Sequence, residues 1–254
     1  LNMKINFLVK VLIISLFAAT FQIIYSPKLL SWGFNGHKKI NKMAVFILPT
    51  QLIDFYKNHI DYITEHAIDP DKRTFSDEKE AVRHYIDVER YGNIDSIPHY
   101  WKDAILKYTE DTLNIHGINP WWSQFMYYRL IDAFIEQDVD KILYTSASLG
   151  HYLADGCTPL HTTRYYNGKE LWQKGIHAFW ETRIPDLLSM DFDFFVGQAE
   201  YVDKPANVIW KNIKSGHVAI ETIIAVLEKM NVSFPQDKKY VFETKGQSNV
   251  KVYS

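Results

Sequence analysis

Imidazole and carboxylate stand four residues apart at several places in this chain, among them His151-x3-Asp155 and His177-x3-Glu181. On an α-helix, residues four apart share a face and lie ~6 Å from one another along the axis. Each pair therefore points a nitrogen donor and an anionic oxygen donor in one direction. Two helices that each offer such a pair are a recurrent way to build a metal site inside a bundle. A chain that carries both must close helical faces around polar groups, and this restricts its fold more than any other feature.

The rest of the sequence is compatible with that demand. Strand-like alternation is scarce, and apolar residues recur with helical spacing. The periodicity predicts helices over 38–47, 51–67, 100–114, 123–137, 141–154, 177–188 and 206–230, punctuated by Pro49, Pro120, Pro159 and Pro185. Asp138 is placed to cap the fifth of these. No repeat or linker interrupts 254 residues that are 47% hydrophobic, so one all-α domain is expected. The tail 238–254 is polar with partial alternation, either a hairpin or an unfinished connection.

Lys+Arg 28 against Asp+Glu 30 leaves no bulk positive field to hold nucleic acid or anionic lipid. The single cysteine, Cys157, excludes an internal disulfide and any Cys-x-x-Cys knuckle, and reads as a small packed thiol. Ten histidines are the unusual count, so a metal would be bound by imidazole and carboxylate. Lys4 and Lys10 precede the uncharged stretch from Val11 to Tyr25, the pattern of a secretory signal and short for a membrane span. Cleavage between Ser31 and Trp32 would leave 254 − 31 = 223 residues, periplasmic or secreted, with no retained span.

Further candidates surround the two helical pairs. Gly156 and Pro159 end the helix after Asp155 and turn the chain so that His161 returns to the same region. His84-Tyr85-Ile86-Asp87 follows an acidic turn, Asp69-Pro70-Asp71-Lys72-Arg73, and Trp32-x4-His37 follows the expected cleavage point. The aromatic run from Trp121 to Tyr128 is read as core.

In order and spacing these motifs resemble the superfamily of bacterial zinc-dependent phospholipases C and fungal and plant single-strand-specific zinc nucleases. The resemblance runs from Trp32 to Glu181 and more loosely to about Met230. It implies an all-α domain with three zinc ions. The first would be held by Asp69, His84, His151 and Asp155, with Asp71 as the fallback for Asp69. The second would be held by His161, His177 and Glu181. The third would take the α-amino nitrogen and carbonyl oxygen of Trp32, His37, and Asp155 as a bridge. The implied reaction is in-line hydrolysis of a phosphodiester by zinc-activated hydroxide. Asp69 would orient the attacking water or take its proton, and Lys72 or Arg73 would neutralise the leaving group.

The resemblance leaves substrate open between a phospholipid headgroup and single-stranded nucleic acid. Glu181 follows the phospholipases, where the nucleases carry Asp. Tyr85 and Asp87 follow the nuclease arrangement, in which an aromatic stacks on a base and the acid meets its edge. The places that recognise choline in the lipases hold Asn35, Pro70 and Ala81 here. A phospholipase C-like hydrolase is the first expectation, a single-strand nuclease the second, and an inactive zinc-binding protein the non-enzyme alternative. No stable protein partner is expected. The 73 residues after Glu181 (254 − 181) are fewer than the superfamily usually carries, so the chain reads as truncated at its C-terminus.

Overall fold

The structure is a computed structural model describing residues 33–245 and 248–253. The expected signal segment and Trp32 lie outside the described residues. Among the described residues twelve α-helices follow in chain order: α1 Phe34–Phe46, α2 Thr50–Asn58, α3 Ile60–Glu65, α4 Asp69–Arg73, α5 Val88–Tyr91, α6 Trp101–Tyr108, α7 Glu110–His116, α8 Asn119–Glu136, α9 Val139–Gly156, α10 Ile176–Ala178, α11 Ile184–Leu188 and α12 Pro205–Ser233. The tail is an antiparallel hairpin, β1 Tyr240–Lys245 and β2 Ser248–Tyr253, with Tyr240 opposite Tyr253 and Lys245 opposite Ser248. The domain is all-α, as the periodicity predicts. No helix among the described residues is long and apolar enough to cross a membrane.

Two expected helices are broken for local reasons. The 51–67 segment splits at His59, whose backbone leaves the helical region at φ −120°, ψ 19°. The 100–114 segment splits at Thr109, where φ is +68° and the hydroxyl accepts the Thr112 amide to start α7. Asp138 caps α9 by accepting the Lys141 amide at 3.1 Å.

α9 is the central element, packed against α8, α1 and α12. Its buried stripe Leu143, Ala147, His151, Asp155 advances by four and turns from apolar to ligand chemistry within one face. The α1 stripe His37, Asn41, Val45 does the same in the opposite sense. Val45 joins Leu143 and Ala147 in one apolar cluster, Asn41 donates to the Ala147 carbonyl at 3.0 Å, and His37 stacks on His151. The two helices therefore run antiparallel, with their polar ends together. A second apolar cluster, around Ile86, Leu113, Trp121 and Ile213, supports the far side.

Close approach of α1 and α9 depends on Gly150. A Cβ there would lie 2.2 Å from Asn41 Oδ1. Asn41 is itself buried and held by the Ala147 and Ile63 carbonyls, so it has little room to move aside.

Candidate metal centre

Three groups of buried donors meet in the polar interior: His37, His151 and Asp155; Asp71, His84 and His151; and His161, His177 and Glu181. Within each group the ligand atoms lie within 4.8 Å of one another. Asp155 joins the first two groups. Its Oδ1 is 3.4 Å from His37 Nε2, and its Oδ2 is 2.9 Å from His84 Nδ1 and 3.2 Å from His151 Nε2. Asp71 Oδ1 lies 3.7 Å from His151 Nε2 and 3.8 Å from His84 Nδ1. In the third group, Glu181 Oε1 is 3.1 Å from His161 Nε2 and Oε2 is 3.1 Å from His177 Nε2.

Backbone and side-chain partners fix which nitrogen of each imidazole faces inward. His151 Nδ1 is 2.8 Å from the Ala67 carbonyl, and His161 Nδ1 is 2.7 Å from the His84 carbonyl. Both carbonyls accept a proton from Nδ1 and leave Nε2 as the inward donor of electrons. His84 is reversed: Nδ1 faces the cluster while Nε2 faces Glu80 Oε1 at 3.6 Å. Partners of this kind orient metal-binding imidazoles and raise their basicity.

Glu80 was not singled out by the sequence reading, yet it is fully buried and contacts His84, Arg73, Arg83 and Tyr152. Burial opposes its charge, but hydrogen bonding from His84 and Tyr152 and the Arg73 charge overrule that and lower its pKa to about 2. The signal that would have found it is the same i, i+4 spacing, Glu80 to His84.

The cluster's protons follow from the balance of burial and charge. Burial opposes a proton on His84, but the Asp155 and Glu80 carboxylates overrule it and lift the imidazole to about 9. Burial is likewise overruled at His161 by Glu181 and Asp155, which lift it to about 10. His151 moves the other way, lowered by burial and by His37 beside it. Burial works against the charges of Asp155 and Glu181. The imidazoles of His151 and His161 nevertheless hold Asp155 well below the carboxylate range, and those of His161 and His177 lower Glu181. At Asp71 burial prevails over His151 and His84 and raises the carboxyl to about 6.

The donor set fits zinc, which takes imidazole nitrogen and carboxylate oxygen. A second observation points the same way. Asp71 Oδ2, Glu181 Oε1 and both ring nitrogens of His177 are buried without a hydrogen-bond partner. His161 Nε2 bonds Glu181 Oε2 at 3.4 Å, but the closer approaches at 3.1 Å, His161 Nε2 to Oε1 and His177 Nε2 to Oε2, are not aligned as hydrogen bonds, as donors turned toward a shared third atom would be. Left uncompensated, each such atom costs about 1–3 kcal/mol; a cation compensates several at once.

The structure corrects one expected position. Asp69 is turned outward, 2.5 Å from His66 Nδ1 and 2.9 Å from Lys72 Nζ. Asp71, two residues on in α4, is the carboxylate that enters the cluster. Residues two apart on a helix point about 200° apart, so only one of the two can face inward. Lys72 is occupied by Asp69 at the surface. Arg73 reaches Tyr152 Oη at 3.1 Å within the Glu80 network, so neither cation faces the cluster as expected.

Tyr85 is half-buried beside Gly117, with its hydroxyl 3.4 Å from the Ile115 carbonyl; Asp87 lies 3.7 Å from His116 Nδ1. Cys157 is exposed at the end of α9 rather than packed. In the aromatic run, Trp121 and Met126 are buried while Phe125 and Tyr128 are exposed.

His177 and Glu181 of the third group sit on an irregular helix. α10 runs into a π-turn, Phe179–Arg183, before α11. Pro185 has no N–H to bond the Glu181 carbonyl four residues back. That carbonyl instead accepts the Gly33 amide at 2.8 Å. The start of α1 is thereby tied to the turn that carries Glu181.

No curated protein matches the chain. A family model for zinc-dependent phospholipase C matches residues 36–234, which includes every buried donor of the three groups. The chain therefore belongs to the zinc-dependent phospholipase C family, zinc hydrolases that act on phosphodiester bonds.

Proposed function

We propose that the chain is an exported phosphodiester hydrolase of phospholipase C type with three zinc ions. One is held by Asp71, His84, His151 and Asp155, and a second by His161, His177 and Glu181. The third is held by His37, Asp155 and the amino-terminal nitrogen and carbonyl oxygen of Trp32, freed when residues 1–31 are removed. Zinc in such sites supplies Lewis acidity and brings the pKa of water near 7.

The chain's own residues hold the geometry. Asp155 presents one oxygen to each side, so its single carboxylate couples two sites. Asp71 takes over the role expected of Asp69: its Oδ2 has no hydrogen-bond partner and is available to orient a water or accept its proton. The Ala67 and His84 carbonyls hold the Nδ1 protons of His151 and His161 away from the reacting side. The Gly33 amide on the Glu181 carbonyl supports a role for the nearby N-terminus.

The observation that carries this reading is the convergence of buried imidazole and carboxylate groups, two of whose oxygens, Asp71 Oδ2 and Glu181 Oε1, lack hydrogen-bond partners. The phospholipid preference rests on Glu181 and on the family match. The test is hydrolysis by the zinc-loaded chain starting at Trp32 of phosphatidylcholine, phosphatidylethanolamine, single-stranded DNA and RNA, beside Asp155→Asn. Lipid turnover abolished in the variant is the expected result. Turnover of nucleic acid alone would transfer the site to the nuclease reading, and equal inertness of both proteins on all four would reduce it to zinc binding.

A further inference from the structure

Immediately after the helix that carries Glu181, the chain exposes a run of large apolar side chains. Leu187, Leu188, Met190, Phe195 and Val196 all lie open, with Met190 at 87% and Phe195 at 98% of full exposure. The segment is nonetheless tied down at both ends. Asn35 donates to Asp186 at 3.0 Å, Lys39 donates to Ser189 Oγ at 2.9 Å, and the Ala199 amide donates to the Ile47 carbonyl at 2.8 Å. Between these ties residues 190–198 form an arch over α1. Beneath it is a cavity of about 540 Å³ lined by Ile40, Met43, Pro185, Met190, Phe192 and Phe194. Lys38, Lys39 and Lys42 of α1 line the same cavity, and the Lys39 ammonium sits 5.1 Å from the Phe194 ring.

Soluble proteins rarely leave such a patch without a use. We propose that this arch docks the protein on a phospholipid surface: Met190, Phe195 and Val196 enter the acyl boundary while the exposed Lys42 of α1 meets headgroup phosphates, Lys38 being paired with Glu65 and Lys39 bound to Ser189. Two features favour lipid over a second copy of the chain. An apolar tip beside an exposed lysine matches the layering of a bilayer surface. A stable protein interface uses roughly 20–30 residues a side, more than one short arch offers. Asp191 and Asp193 lie within the arch, so insertion rather than attraction to anionic lipid is the main contribution, and phosphatidylcholine alone should suffice. Because the arch continues from α11, docking brings the third donor group near the headgroups. The inference rests on the phospholipase reading of that site.

The test is co-sedimentation of the zinc-loaded chain with phosphatidylcholine vesicles, with and without one quarter phosphatidylserine. Wild type is compared with a double variant, Phe195→Ser with Val196→Ser. Both residues are exposed, so folding is not at stake. The vesicle-bound fraction should fall about tenfold, while hydrolysis of soluble bis(p-nitrophenyl) phosphate stays within about twofold. Equal vesicle binding by both proteins, or a wild-type dimer that the substitutions dissolve in sedimentation velocity, would overturn the proposal. Arch-dependent binding by a chain inert on every phosphodiester would keep the docking surface and refute the phospholipase reading. Hydrolysis of the soluble diester without vesicle binding would do the reverse.

Discussion

At the scale of single residues, the site depends on which acid of the Asp69–Asp71 turn faces inward. Spacing to His84 favoured Asp69 and kept Asp71 as the fallback, because two carboxylates in one turn come close to satisfying the same motif. Only the helical phase of α4, set by its packing on α9, decides between them. Asp71→Asn should lower kcat/KM at least ~100-fold and cost bound zinc, while Asp69→Asn, which loses only surface partners, should stay within about twofold. Steady-state kinetics with metal analysis of both variants checks this. Glu80 was missed because it sits outside the motif, although its spacing to His84 obeys the rule that found the others.

The pH behaviour of the metal-free protein also belongs to this scale. His84 and His161 are raised from 6.5 to about 9 and about 10. Groups raised on folding contribute stability that is full below the unfolded pKa and lost as pH climbs through the folded one. The metal-free melting temperature should therefore fall between pH 6.5 and about 10. Zinc must displace those protons, so its stabilisation of the fold should grow over the same range. Thermal melts at pH 6.5, 8 and 10 with and without chelator read both effects; a flat metal-free profile would contradict them.

At the scale of elements, periodicity predicts the long helices but not the short α4 and α5, and Asp138 capped α9 as expected. The breaks at His59 and Thr109 and the π-turn at Phe179–Arg183 were not evident. Each is a departure of one residue or one turn inside an otherwise helical pattern. The π-turn has a cause visible in hindsight, the missing N–H of Pro185, but its partner, the Gly33 amide, is distant in sequence. Gly150 is the sharpest test at this scale. Helix propensity alone favours Ala over Gly by about 1 kcal/mol. The fixed Asn41 oxygen reverses the sign, so Gly150→Ala should destabilise by about 1–3 kcal/mol in urea unfolding. It should also weaken zinc binding, since Asn41 shares its face of α1 with His37.

At the scale of the whole molecule, two antiparallel helices and a turn-rich connection place apolar clusters on either side of a polar interior. Eight buried donors from five separate stretches of chain converge there. The motifs identified all but Asp71 outright and kept that one in reserve. Their convergence is a property of the packed domain, dependent on Gly150, Pro185 and the Ala67 carbonyl as much as on the ligands. The central claim is that the Asp155 carboxylate is shared between two metal sites. Zinc content measured by mass spectrometry on wild type and Asp155→Asn, both starting at Trp32, tests it most directly. Three ions falling to one, with the variant still folded by circular dichroism, is the result expected. A folded variant that keeps its full complement of zinc would contradict it.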